Sequence, residues 1–219
     1  MISPLKKEYR ALVDGIHSFG FNFKESQTGR LPFVEFSELN LICSIGGHGK
    51  SQFALQTQHL INSFKKISRV ICAGSGGALV DSVKPLDVVV GTKTIEHDFL
   101  EKFIASPQPE FLGCGKMIEL FAKKSTIKPN FSVHFGPIAC GDEDIVDSTR
   151  ARVIQEKTQA LIVAWEGAGG ARATAFHGLP YLEIRVATDS ANQNTAKDFN
   201  LNLKQAMVNI AELITNSIL

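Results

Sequence analysis

Apolar residues recur along this chain in two rhythms: short runs of about four to eight that suit strands, and stripes at helical spacing that suit amphipathic helices. Leu5, Tyr9, Leu12, Val13 and Ile16 fall on one face of a first helix. Phe33 to Phe36 and Leu39 to Ile45 read as strands joined by a tight turn around Ser37 to Asn40. Phe53, Thr57, Leu60, Ile61 and Phe64 mark a helix that follows Gly46-Gly47-His48-Gly49. Then come a strand from Val70 to Ala73, a loop Gly74-Ser75-Gly76-Gly77 and a long strand from Asp87 to Glu96. Ala105 to Gly115 carries two prolines and two glycines and reads as a mobile loop suited to a lid, with Phe99, Phe103 and Phe111 as apolar neighbours. A helix over Met117 to Lys124, a strand from Phe131 to Cys140, a polar helix near Ser148 to Lys157 and a strand from Leu161 to Trp165 follow. The chain closes with a strand from Tyr181 to Ala187 and a helix whose stripe is Phe199, Leu203, Ala206, Met207, Ile210, Leu213, Ile214 and Ile218. Strands alternating with helices predict an α/β protein with a mostly parallel or mixed sheet, and the absence of repeats or linkers predicts one domain over residues 1–219.

With 219 residues, 44% apolar content and a net charge of +1, the chain can bury one sizeable core and is too balanced for the electrostatics of nucleic-acid or membrane binding. No apolar run approaches the ~18 residues that span a bilayer, and no basic-then-apolar leader is visible, so neither an anchor nor a secretory signal is expected. Cys43, Cys72, Cys114 and Cys140 are scattered without a CxxC pair and read as small reduced residues, which favours a cytoplasmic location.

Charged groups inside the apolar runs carry the candidate chemistry. Asp189 ends the strand that also holds Arg185, and a carboxylate at the C-terminal edge of a buried strand is costly unless a ligand uses it; it reads equally as a cap for the last helix. Glu166 follows the run Leu161 to Trp165 and precedes small residues, a poor fit for a solvated face. Ser44 to Ser51 is one residue short of a phosphate-binding P-loop, because Ser44 stands where the first glycine belongs and the next apolar strand ends without a magnesium-binding Asp.

Taken in order, Gly46-Gly-His-Gly-Lys50, Ala73-Gly-Ser-Gly-Gly-Ala78, Lys84-Pro-Leu-Asp87, His97-Asp98, Gly141-Asp142, Trp165-Glu166-Gly-Ala168 and Arg185-Val-Ala-Thr-Asp189 resemble the nucleoside phosphorylase/nucleosidase superfamily. The resemblance is nearest to methylthioadenosine/S-adenosylhomocysteine nucleosidases. It implies a three-layer fold with a central mixed sheet flanked by helices, a small-molecule nucleoside as ligand, a homodimer whose partner helps close the pocket, and no cofactor or metal. It further implies that Asp189 is the general acid to the departing base, oriented by Thr188, and that Glu166 grips the ribose hydroxyls. Glu8, Ser75 and Arg185 match the residues that hold and activate water. Each has a plainer reading: Glu8 as a helix-surface charge, Ser75 as a loop hydroxyl, Arg185 as the partner of a structural carboxylate, and His97 as a structural histidine at a strand end.

The departures matter too. The family's Glu-Met-Glu is Ala164-Trp165-Glu166 here, the initial strand is reduced to Met1 and Ile2, and Asp144 stands where an aromatic normally stacks on the base. Ile145 takes that place if the loop slips by one, and Trp165 offers another stacking face. The phosphorylases' second arginine is Cys72, which favours water over phosphate as nucleophile. A phosphate-dependent phosphorylase and a nucleoside-binding module without turnover stay open as alternatives.

Overall fold

The computed structural model describes residues 1–104, 106–124 and 130–218; Ala105 and the Ile218 side chain, both named above, lie outside the described residues. In chain order the strands are β1 (Ile2–Ser3), β2 (Lys24–Thr28), β3 (Leu31–Phe36), β4 (Leu41–Ile45), β5 (Val70–Ala78), β6 (Val88–Glu96), β7 (Glu110–Leu112), β8 (Val133–Cys140), β9 (Ile162–Ala164) and β10 (Tyr181–Asp189). The helices are α1 (Lys6–Ser18), α2 (Lys50–Ser63), α3 (Gly115–Lys124), α4 (Ser148–Thr158), α5 (Gly167–Phe176) and α6 (Thr195–Ile218).

One mixed sheet runs in the order β10-β6-β8-β9-β5-β1-β4-β3-β2, with β7 added on β6. Because β10 pairs in parallel with β5 and antiparallel with β6, the strands β5, β9, β8, β6 and β10 curl into a closed ring. Successive side chains of a strand point to opposite faces. Leu182, Ile184 and Val186 of β10 therefore join the main core with Leu12 and Ile16 of α1 and Met207 and Ile210 of α6. Tyr181, on the other face, packs with Phe53 and Leu60 of α2 and Ala171 of α5. Each fully buried Leu, Ile or Phe contributes about 1.5–3 kcal/mol, so these two clusters clamp β10 from both sides.

Several expectations are corrected. The segment Gly74 to Gly77, read as a loop, continues strand β5, where it pairs with Arg185 to Asp189 of β10. The lid segment contains β7, paired with Lys93 to Ile95 of β6. The turn after β3 is a 3-10 turn over Ser37–Leu39 that takes up Leu39 and ends at Asn40 in the left-handed region, which asparagine tolerates. Two elements went unread. Strand β2, Lys-Glu-Ser-Gln-Thr, is nearly all exposed and shows no apolar alternation. Helix α5 is buried on almost every side, so its Gly- and Ala-rich sequence has no polar face to betray it.

Helix α5 owes its position to close packing on α2. A Cβ at Gly169 would overlap the backbone carbonyl of Lys50, and backbone cannot yield as a side chain end can. Gly169→Ala should push the two helices apart and destabilise the fold by about 1–3 kcal/mol, measured by chemical denaturation; an unchanged midpoint would show that α5 is not so constrained.

Candidate active site

A cavity of about 400 Å³ is built from the C-terminal ends of β5, β9 and β10 together with the first turns of α1 and α6. Glu8, Ser75, Trp165, Glu166, Arg185, Thr188 and Asp189 all line it, as do Asp144 and Ile145. The residues that sequence reading singled out therefore lie around one space.

Register puts them there. In the parallel pairing of β10 with β5, Arg185 stands opposite Gly74 and Val186 opposite Ser75. The register slips between Ala187 and Asp189, so Thr188 forms a bulge at the strand end, the device by which a strand re-aims a side chain. Short as it is, β1 still anchors the start of the chain. Ile2 pairs with both Ser44 of β4 and Cys72 of β5, which brings the start of α1 to the cavity. There Glu8 is buried. Its Oε1 accepts hydrogen bonds from the Ser75 amide at 2.7 Å and the Ser75 hydroxyl at 2.6 Å, and its Oε2 accepts from the Leu5 amide at 2.8 Å.

Arg185, only 1% exposed, is held by four acceptors. Its Nε donates to Glu183 Oε1 at 2.7 Å, Nη1 to the Ser75 carbonyl at 3.1 Å, and Nη2 to Glu166 Oε2 at 3.2 Å and Cys72 Sγ at 3.4 Å. Glu166 is also buried, and its Oε1 faces the Gly49 amide at 3.4 Å. Burial pushes the Glu166 carboxyl up to about 7; the Arg185 charge opposes this and Glu8 adds to it.

Asp189 is not a cap of α6, which begins six residues later. Its Oδ1 accepts from the Ala191 amide and the Thr195 hydroxyl, both at 2.9 Å, and its Oδ2 accepts from the Thr188 hydroxyl at 2.9 Å. Burial raises its pKa above the ordinary value even though those three donors pull it down. Asn202 in turn holds the Thr188 carbonyl at 2.8 Å.

At the rim, Asp144 is exposed while its neighbour Ile145 is buried against Val163 and Ala191. Trp165 packs against His48 with ring centres 4.2 Å apart. Phe199 also lines the cavity, with the Lys7 ammonium 4.5 Å from its ring centre. Phe99, Phe103 and Phe111 do not line it in a single chain. His97 is buried with neither ring nitrogen hydrogen-bonded among the described residues, and burial lowers its pKa below the ordinary value.

The P-loop-like stretch serves a different purpose from phosphate binding. The Lys50 amide at the start of α2 is taken by Asp142 Oδ1 at 2.8 Å, and the Lys50 ammonium pairs with Asp98 at 2.5 Å and Glu96 at 2.9 Å. The protein's own carboxylates thus fill the place a phosphate would take. Sequence reading missed Glu183, Thr195, Phe199 and His48. For Glu183 a signal existed: a carboxylate inside an apolar strand, two residues from an arginine and so on its face.

A family model described as the phosphorylase superfamily matches residues 3–219, and the chain belongs to that family. The 5'-methylthioadenosine/S-adenosylhomocysteine nucleosidase of Bacillus thuringiensis subsp. konkukian is 27% identical over 227 residues, which cover 98% of this chain and 95% of that protein. The aminodeoxyfutalosine nucleosidase of Helicobacter pylori is 24% identical over 208 residues, 91% of this chain and 90% of its own. Among solved structures, the Neisseria meningitidis 5'-methylthioadenosine/S-adenosylhomocysteine nucleosidase in complex with methylthio-immucillin-A superposes with a TM-score of 0.85 at 26% identity, over 99% of this chain and 96% of that one. A Helicobacter pylori mutant with 5'-methylthioadenosine in its active site superposes with a TM-score of 0.89 at 21% identity, over 99% and 96%.

The Glu166 carboxyl links this site to stability. The folded state holds its proton more tightly than the unfolded chain does, so stability is present below the ordinary value of 4.5 and is lost as pH rises through about 7. The gap in unfolding free energy between Glu166→Gln and the wild type should therefore widen in favour of the variant by roughly 2–3 kcal/mol between about pH 5 and about pH 8. Urea denaturation of both proteins at the two pH values checks this, and a gap independent of pH would refute it.

Proposed function

We propose that the chain hydrolyses the N-glycosidic bond of a purine-type nucleoside of the methylthioadenosine or S-adenosylhomocysteine kind. One observation carries the reading: the buried carboxyls of Asp189 and Glu166 line the same cavity as a Glu8–Ser75–Arg185 cluster. Cleavage of such a bond builds positive charge on the sugar and negative charge on the leaving base, so a site for it needs an acid at one end and carboxylates near the other.

In this reading Asp189, whose pKa burial raises above the ordinary carboxylate value, gives a proton to the five-membered ring of the base as the bond to the sugar breaks and its electron pair goes to the base. Thr188 keeps the Asp189 carboxyl in one orientation. Glu166 accepts hydrogen bonds from the ribose hydroxyls and lies near the developing cation. Glu8 orients a water with Ser75 and Arg185, takes its proton, and leaves the oxygen to bond the sugar carbon. Ile145 and Trp165 offer apolar faces to the ligand, and Asp144 sits at the rim, where an exocyclic amino group suits it.

Charge favours water over phosphate. Arg185 already faces Glu8, Glu166 and Glu183, and the neighbouring Cys72 is a thiol that burial keeps protonated. Lys7, at the rim, is held by Asn200 and the Phe199 ring. A dianion would meet more negative than positive charge here.

The homologous enzymes named above support the substrate class. A second copy of the chain is proposed to cover Phe99, Leu100, Phe103 and Ile104, large apolar side chains that a single chain leaves exposed. Among the described residues no helix is long and apolar enough to cross a membrane, and the four free cysteines fit a reducing, cytoplasmic setting. The whole of residues 1–219 is proposed to act as one domain.

The test is incubation with methylthioadenosine, S-adenosylhomocysteine and aminodeoxyfutalosine in phosphate-free buffer, reading free base by chromatography. Release without phosphate is expected, and Asp189→Asn should lower kcat by about 10²–10⁴-fold. Release that requires phosphate would make the protein a phosphorylase. Ligand-induced thermal stabilisation with no release would make it a binding module.

A further inference from the structure

Of the contacts that hold Arg185, the shortest is with a residue that does not line the cavity. Glu183 is 1% exposed, on the same face of β10 as Arg185, and its Oε1 accepts from Nε at 2.7 Å. Its Oε2 accepts from the Thr94 hydroxyl of β6. A carboxylate so deeply buried is costly even when paired, and apolar residues of similar size often do as well for stability. Neutralising Arg185 does not account for it either, because Glu166 is already in contact and Glu8 stands close by. A third carboxyl adds geometry rather than balance.

The helix facing it has made room. A Cβ at Gly167, the first residue of α5, would overlap the Glu183 carboxylate. Gly167 is therefore confined to glycine by the side chain opposite it, and it directly follows Glu166 in the chain. The guanidinium is a rigid plane. Fixing Nε from one side, with Glu183 itself fixed by Thr94, leaves Nη1 and Nη2 one orientation, toward the Ser75 carbonyl and Glu166.

We infer that Glu183 is a positioning residue for the hydrolysis proposed above: by gripping Nε it sets the plane of Arg185, and Gly167 is the opening in α5 that admits it. The kinetic consequence rests on the nucleosidase reading, whereas the packing consequence does not. Glu183 does not line the cavity, so its loss should act on the chemical step and leave binding nearly intact.

The experiment compares wild type, Glu183→Ala, Glu183→Gln, Gly167→Ala and the Glu183→Ala/Gly167→Ala pair, with methylthioadenosine as substrate and a crystal structure of Glu183→Ala. Misplacing a catalytic group by about an ångström costs ~10²-fold, so Glu183→Ala and Gly167→Ala should each lower kcat by about that factor, with KM within about threefold of wild type. The pair should be no worse than the poorer single variant by more than about twofold, because both break one contact. Glu183→Gln, whose amide oxygen still accepts from Nε, should recover most of kcat. In the crystal the guanidinium should have turned away from the Ser75 carbonyl or from Glu166.

A wild-type kcat in Glu183→Ala, a loss confined to KM, or multiplicative losses in the pair would overturn the inference. Should Glu183→Ala not fold, Thr94→Val removes only the hydroxyl that holds the other oxygen; a smaller loss of kcat is expected there, and an unchanged kcat overturns the proposal. If wild type releases no base from any nucleoside, the nucleosidase reading fails, and the crystal still decides the rest: a displaced Arg185 upholds the positioning role and an unmoved one refutes it.

Discussion

A guanidinium taken wholly out of water must be given hydrogen-bond acceptors on every side, and the rest of this site is arranged around that demand at Arg185. Its four acceptors come from β5 and β10 and from the start of α5, so those elements have little freedom to shift relative to one another. The parallel register of β5 with β10 delivers the Ser75 carbonyl, and the same residue's amide and hydroxyl hold Glu8. The entry of β1 beside β5 carries Glu8 to that meeting point. A slip of one residue between β5 and β10 would send Arg185 to the opposite face, into the core packed by Leu182, Ile184 and Val186. Apolar burial on that face therefore sets the polar geometry on this one.

The two carboxyls that matter most share burial and differ in partners. Among the described residues Asp189 meets three neutral donors and no cation, whereas Glu166 meets a guanidinium. Burial raises both pKa values, and only at Glu166 does a neighbouring positive charge oppose that rise. Two buried carboxyls in one cavity, one held by neutral donors and the other by a guanidinium, stand in different environments, and such a difference is how an enzyme separates acid work from electrostatic work.

What the amino-acid sequence made legible follows from where its signals are local. Asp189 and Arg185 stand out because charges inside an apolar strand are rare and costly, and the strand itself declares its face by alternation. Glu166 was visible for the same reason. Helix α5 was not, because a helix buried on most of its sides carries little periodicity, and its glycines, which lower helix propensity, exist for contacts with Lys50 and Glu183 that only the folded chain creates. Glu183 carried the same signal beside Arg185, but its role shows only when the donor to each of its oxygens is known. The glycines of β5 were misread as a loop since they serve close backbone approach within a strand rather than a turn.

The glycine-rich entry to α2 shows how the same local feature can serve opposite ends. Free amides at a helix start attract anions, and a lysine at that position strengthens the attraction, which is why the stretch resembles a phosphate loop. Here the anions are internal. Asp142 occupies the Lys50 amide, Asp98 and Glu96 hold the ammonium, and Asp98 also accepts from the Asp142 amide at 2.9 Å. Burial disfavours charge on Asp98, yet the hydrogen bonds from Lys50 and Asp142 outweigh it and hold its carboxyl below the ordinary range. The Gly49 amide is turned to Glu166. The groups of this helix start that a phosphate would use most directly, the Lys50 amide and ammonium, are consequently taken, and the Gly49 amide lends its partial positive charge to the Glu166 carboxyl, where it favours the anionic form that the proposed reaction needs.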